Sequence, residues 1–213
     1  MKKILLREIT MSECVSRALE VLGAGGVVLY PTDTLYGLGA DAFSDEAVRR
    51  VQDIKGRARE KPIHCVAADL TMAERYAYFS EDALLLAREF WPGALTLVLG
   101  KKSAVERGIV RGRDAIGIRI PDNKFCLALA RAFGKPYTTT SANQAGEESR
   151  RNVGEIIEQL GDRAANIDLI IDAGELRESK SSTVVDLSGK EPVILREGAI
   201  PAADIWEVIR TEL

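Results

Sequence analysis

The stretch Tyr30-Pro31-Thr32-Asp33-Thr34-Leu35-Tyr36-Gly37-Leu38-Gly39 decides how this chain is read. Just before it, Val27-Val28-Leu29 is a short apolar run suited to a buried strand, introduced by Gly23, Gly25 and Gly26. Pro31 has no N–H to give a ladder and predicts the end of that strand. Thr32, Asp33, Thr34 and Tyr36 then place hydroxyls, a carboxylate and a phenol at the strand end. Gly37 and Gly39 predict a sharp turn or a close approach to a ligand. Polar groups at the end of a buried strand, followed by glycines, are a common build for a ligand pocket; an ordinary Pro/Gly loop is the alternative. Gly37, Gly39 and Ala42 also spell G-x-G-x-x-A, but Pro31 to Tyr36 separate them from the strand and the next helix signal waits until Ser44. A dinucleotide site is therefore not expected.

Outward from that stretch, strands and helices alternate. Lys3 to Ile9 reads as a first strand, and Thr10 with Glu13 forms a capping box for a helix to about Leu22. Ser44, with Asp45 and Glu46 in the first turn, caps a second helix that runs into the basic turn Lys55-Gly56-Arg57-Ala58-Arg59-Glu60-Lys61-Pro62. Ile63 to Ala67 is a strand, Thr71 and Glu74 form another capping box, and Ser80 caps a helix ending near Trp91-Pro92-Gly93. Leu95 to Leu99 and Ile116 to Ile120 read as strands joined by a basic connection. Asp122 or Asn123 caps a helix to Phe133, closed by Gly134 and Pro136. Tyr137 to Ser141 is a Thr-rich strand and Val153 to Leu160 a short helix. Leu169 to Ile171, Thr183 to Val185 and Val193 to Leu195 are strands, and Ala202 to Leu213 is a closing helix. This order predicts an α/β (or α+β) domain around one twisted, open, mixed sheet with flanking helices.

With 213 residues, the chain is expected to form a single domain spanning 1–213. It is 46% hydrophobic and 29% charged, an ordinary globular composition. A net charge of −3 and 6% aromatic residues do not favour strong nucleic-acid binding, so any basic site is local. Cys14, Cys65 and Cys126 lie far apart and read as buried free thiols of a cytoplasmic protein. A single histidine, His64, argues against a His-based triad or a multi-His metal site; it is expected to be structural. No segment is long enough to span a bilayer.

Three polar groups recur at element ends: Thr32–Tyr36, Lys55-Gly56-Arg57 with Lys61, and Ser141-Ala142-Asn143. Ser179 to Thr183, Arg119 and Arg196 add to them. Lys55, Arg57, Lys61, Arg119 and Arg196 together could match the charge of a triphosphate, Arg through planar paired contacts and Lys as a point charge. Neither a P-loop nor a kinase signature is present, so spacing alone does not establish a nucleotide site.

Tyr30 to Gly39, Lys55-Gly56-Arg57, Ser141-Ala142-Asn143, Ser182-Thr183 and Leu195-Arg196-Glu197-Gly198-Ala199, in that order, resemble the YrdC-like family of threonylcarbamoyl-AMP synthases. The resemblance implies a concave, basic face on the sheet. It implies an enzyme that turns L-threonine, bicarbonate and ATP into threonylcarbamoyl-AMP and pyrophosphate. It places Thr34, Arg119, Thr139 and Ser182 on threonine. It places Arg57, Lys61, Ser141, Asn143, Ser149 and Arg196 on ATP, with Lys55 and Arg57 at the reacting phosphates. Magnesium is implied as part of the nucleotide, without a protein cage and without an organic cofactor. Downstream, a separate tRNA threonylcarbamoyl transferase machinery is expected to use the product, and no C-terminal lid domain is expected. Where relatives carry a histidine two residues past His64 this chain has Val66, and where they often carry Asn it has Lys61. Two other readings remain open: an RNA-binding or ribosome-maturation module, including weak RNA binding, and a paralogue forming another acyl- or carbamoyl-adenylate.

Overall fold

The computed structural model describes residues 2–58 and 61–210. Its elements in chain order are β1 (Lys2–Leu5), α1 (Met11–Gly23), β2 (Val28–Pro31), β3 (Tyr36–Gly39), α2 (Asp45–Lys55), β4 (His64–Val66), α3 (Leu70–Glu74) and α4 (Glu81–Phe90). Then follow β5 (Leu95–Gly100), β6 (Ala115–Arg119), α5 (Lys124–Phe133), β7 (Tyr137–Thr139), α6 (Val153–Leu160), β8 (Leu169–Asp172), β9 (Thr183–Asp186), β10 (Val193–Arg196) and α7 (Ala202–Arg210). The expected continuation of the last helix to Leu213 lies outside the described residues.

Local chemistry starts the helices as the sequence signals. The hydroxyls of Thr10, Ser44 and Ser80 and the Asn123 amide oxygen each accept the backbone N–H three residues on. Each such bond satisfies one of the donors a helix start leaves open, typically worth about 1 kcal/mol. One cap differs: Asp69 accepts from Met72 N at 2.8 Å, and Thr71 lies inside α3. The carboxylate two residues earlier outcompetes the Thr71–Glu74 pairing. The first strand is also shorter than expected, because a turn begins at Leu6.

The expected single sheet is two mixed sheets. One has the order β1-β8-β2-β3 and the other β10-β9-β5-β6-β4-β7. Parallel and antiparallel neighbours occur in both. The sheets are stitched where β3 meets β7. Thr138 N donates to Ala40 O at 2.7 Å, Leu38 N to Thr140 O at 2.9 Å, and Ala142 N to Tyr36 O at 2.8 Å. The buried Thr138 hydroxyl strengthens the seam by accepting from Ala40 N and donating to Leu38 O.

The opening stretch is a β-hairpin rather than a polar loop. Pro31 still pairs with Tyr36, and Thr32 to Leu35 make the turn. The Thr32 hydroxyl holds that turn by accepting from Thr34 N and Leu35 N while donating to Leu35 O. Gly37 and Gly39 are extended strand residues. Their missing side chains make room for the fully buried Tyr30 ring: a Cβ at Gly39 would lie 2.8 Å from Tyr30 Cε1, and one at Gly37 3.1 Å from Cζ. Tyr30 in turn meets Tyr137 edge-on at 5.5 Å, so the glycines serve aromatic packing across the seam. Among the helices, α1 packs against α5 and α4 against α7. Among the described residues, no helix is long and apolar enough to cross a membrane.

Candidate active site

A polar cleft with about 610 Å³ of empty space, partly open to solvent, lies along the seam. The hairpin turn and the ends of strands from both sheets supply its lining. Its cations are Arg57, Arg119 and Arg196; its hydroxyls include those of Thr32, Thr34, Thr96, Thr139, Ser141 and Ser182.

Each cation is held differently. Arg119 closes β6 and is 5% exposed. It donates Nε to Gly93 O at 3.0 Å, Nη1 to Thr34 Oγ1 at 2.9 Å and Nη2 to Asp33 Oδ1 at 2.7 Å. The partner the sequence left undecided is thus Asp33, and the pair locks the hairpin turn to β6. Arg196, at the end of β10, donates to the Ser182 carbonyl through Nε and Nη2. Ser182 Oγ lies 2.8 Å from Thr96 Oγ1, which ties β9 to β5. Close approach is essential there, since a Cβ at Gly198 would sit 2.1 Å from the Ser181 carbonyl oxygen.

Arg57 follows Gly56, whose φ of +59° caps α2 in the left-handed conformation that favours glycine. That cap turns the chain out of the helix and toward the cleft. Arg57 Nη2 donates to Pro62 O at 2.9 Å. Its Nε is buried and, among the described residues, has no acceptor. A buried guanidinium N–H without an acceptor is costly unless an anion supplies one. Burial lowers the pKa of Arg57. Burial also lowers that of Arg196, with Arg119 and Arg57 adding repulsion. Both groups keep their charge and are poised for anionic ligands.

The structure therefore brings seven of the sequence-selected residues to one cleft: Thr34, Arg57, Arg119, Thr139, Ser141, Ser182 and Arg196. Four others lie elsewhere. Lys55 is 1% exposed and points behind the cleft wall. Its Nζ donates to the Ser141 carbonyl, to the Asn143 carbonyl at 3.0 Å and to Asn143 Oδ1 at 2.8 Å. Asn143 is buried too, and its Oδ1 also accepts from Ser141 Oγ at 2.6 Å. Lys55 and Asn143 thus shape the loop that presents Ser141; neither lines the cleft. Lys61 is exposed and borders a neighbouring basic groove with Arg49 and Arg111, which meets the cleft at Pro62 and Ile63. Ser149 sits in a shallow groove that shares Leu35 and Ser181 with the cleft rim.

Sequence reading also passed over residues that line the cleft. Thr96 is a lone hydroxyl in an otherwise apolar strand, the kind of break in pattern that could have drawn attention. His64 was expected to be structural, yet it opens β4 on the cleft face. Cys14, Cys65 and Cys126 are buried and free, as expected, with thiol pKa values pushed up by burial, to about 11 for Cys14 and about 12 for Cys126. Among the described residues, no group of His, Cys, Asp and Glu side chains converges as a metal site.

Comparison with known proteins finds relatives over most of the chain. The family model for Sua5, YciO and YrdC, described as "Telomere recombination", matches residues 20–198. A threonylcarbamoyl-AMP synthase of Pyrococcus abyssi is 39% identical over 186 residues, 87% of this chain and 54% of that protein. The enzyme of that name from Bacillus subtilis is 36% identical over 197 residues, 92% of this chain and 56% of that protein. The chain therefore spans a little over half the length of these two relatives. Among solved structures, P. abyssi Sua5 complexed with L-threonine superposes with a TM-score of 0.88 at 36% identity, covering 98% of this chain and 60% of that one.

Proposed function

The chain belongs to the Sua5, YciO and YrdC family, and on that premise we propose that it acts as a threonylcarbamoyl-AMP synthase. The observation that carries the reading is the meeting of Arg57, Arg119 and Arg196 with a row of hydroxyls in one cleft, where Arg57 Nε lacks an acceptor. The names of its relatives, and the L-threonine in the P. abyssi structure, support threonine as the amino acid.

The chemistry suits such a lining. Bicarbonate takes up a proton and releases water to give carbon dioxide. The neutral amine of threonine attacks that carbon and, after losing a proton, becomes an N-carboxylate. A carboxylate oxygen then attacks the α-phosphorus of ATP; the bond from that phosphorus to the bridging oxygen breaks, and pyrophosphate leaves with the electron pair. These steps need positioning and charge neutralisation more than a protein nucleophile. Arg57 and Arg196 are assigned to the phosphates. Arg119 holds Thr34 in place on the amino-acid side, with Thr139 and Ser182 completing that side and Ser141 serving ATP. Lys55 and Asn143 act through Ser141, while Lys61 and Ser149 lie where only an outer part of the nucleotide could reach. The cleft's one neighbouring carboxylate named above, Asp33, is already paired with Arg119. Magnesium therefore enters this proposal bound to ATP, as part of the substrate. A separate transferase that places the threonylcarbamoyl group on tRNA, in the cytoplasm, completes the proposal.

Pyrophosphate release tests it. ATP turnover by the protein is expected to require L-threonine and bicarbonate together. Release that is indifferent to either one contradicts the assignment.

A further inference from the structure

His64 is the chain's single histidine, and the roles assigned above leave it unused. In the antiparallel register of β4 and β7 it stands directly opposite Thr139, so the two side chains share a face. Its ring lies over Gly117 of β6, where a Cβ would come within 2.3 Å of His64 Cδ2. That glycine lets the imidazole lie down on the cleft floor. Three guanidiniums act on it, Arg57 from the turn after α2, Arg119 from β6 and Arg196 from β10. The Asp33 carboxylate beside them is engaged by Arg119.

Burial, with repulsion from Arg196, Arg57 and Arg119 added, lowers the imidazole pKa to about 4. The ring is therefore neutral at working pH and offers one N–H and one lone pair. Several other acceptors of the cleft are already engaged. Thr34 Oγ1 accepts from Arg119, Ser182 Oγ is engaged by Thr96 and Arg196, and the Ser141 carbonyl accepts from Lys55. Guanidiniums only donate. An amino acid entering this cleft finds cations for its carboxylate, and on the face shared with Thr139 the neutral imidazole offers its amine a lone pair.

We propose that His64 is a substrate-contacting residue whose imidazole accepts a hydrogen bond from the amine of the amino-acid substrate. The inference rests on the synthase reading. That amine must be neutral to attack carbon dioxide, and three neighbouring guanidiniums disfavour its ammonium form. An uncharged acceptor orients one N–H without restoring the positive charge, and leaves the nitrogen lone pair free for the attack. The ammonium proton departs to water.

A lone histidine makes the test direct, because the imidazole nitrogen resonances of the wild-type protein need no assignment. L-Threonine is expected to shift the unprotonated ring nitrogen. L-Valine, which keeps the amine and lacks the hydroxyl, is expected to shift it likewise at higher concentration, and ATP alone is expected to leave it in place. In turnover, His64→Phe should raise KM for threonine about tenfold with KM for ATP unchanged, and His64→Asn, which keeps an acceptor, should recover most of the loss. A ring nitrogen that responds to ATP but not to threonine overturns the inference. So does one that ignores threonine while calorimetry shows threonine bound. A wild-type protein that neither binds threonine nor releases pyrophosphate overturns the synthase reading, and this inference with it.

Discussion

The Lys55 ammonium lies 2.8 Å from Asn143 Oδ1 and 3.0 Å from the Asn143 carbonyl, and it also reaches the Ser141 carbonyl. One buried cation thus organises the turn that carries Ser141 into the cleft. Lys55→Met removes the donor from all three contacts; the Ser141 carbonyl and Asn143 Oδ1 keep a second donor, but the Asn143 carbonyl loses this one, at about 1–3 kcal/mol before relaxation. A lowered melting temperature and at least about a tenfold loss of turnover are expected together. Unchanged melting would contradict this placement of Lys55.

The same lysine gives a pH signature. Burial, reinforced by Arg57, lowers its pKa to about 7, below the value of about 10.4 expected in the unfolded chain. Between those values the unfolded chain binds more protons than the folded one, so the contribution of this group to stability rises with pH across that window and is flat below it. Denaturant melts should show the gap between wild type and Lys55→Met widening from about pH 7 to about pH 10. A gap that narrows over that range would reverse the assigned shift.

Arg119 and Asp33 form a second paired device, at 2.7 Å with both side chains largely buried. Arg119→Met leaves the Asp33 carboxylate without its cation and Thr34 without a donor. A loss of about 3–5 kcal/mol in denaturant unfolding is expected, the range for breaking a buried pair on one side. Substitution of both residues should cost less than the sum of the two single changes, as a double-mutant cycle would show.

The glycines of the opening stretch separate packing from ligand approach. Gly39→Ala drives a methyl to 2.8 Å from the Tyr30 ring and should destabilise the fold by about 1–3 kcal/mol. Gly23→Ala, at the end of α1 with nothing within 4 Å, should be neutral or slightly stabilising. Thermal melts of the two variants side by side check the contrast.

These particulars show what the sequence made legible. Thr10, Ser44, Ser80 and Asn123 were readable as caps because a cap is a contact across three residues. The seam between β3 and β7 was not, because its bonds join residues about a hundred positions apart. The division into two sheets was equally out of reach of local patterns, and Gly37 and Gly39, expected to serve a sharp turn or a close approach to a ligand, receive the Tyr30 ring across that seam. The basic residues could be selected by type, but Lys55 and Arg57, two positions apart across a left-handed Gly56, point to opposite sides of the cleft wall. No residue type encodes that division. The place of His64 in the cleft lining was unreadable for the related reason that the room for its ring depends on Gly117 of another strand.

Amino-acid preference should follow the hydroxyl-rich lining. With the hydroxyls of Thr34, Thr139 and Ser182 around the amino-acid side, L-serine should be a poorer substrate than L-threonine, and L-valine much poorer. Valine leaves polar groups of the site without partners, which discriminates more strongly than a missing methyl. Ratios of kcat/KM for the three amino acids check this order.

The central claim is that threonine, bicarbonate and ATP are joined in this cleft, and mass spectrometry of the product tests it most directly. The protein is incubated with ATP, L-threonine and carbon-13 bicarbonate, and the nucleotide products are separated at once. The account predicts an adenylate containing threonine and the labelled carbon, formed in step with pyrophosphate and lost in Arg57→Ala. AMP without a labelled adduct, or an adenylate that lacks threonine, would contradict it.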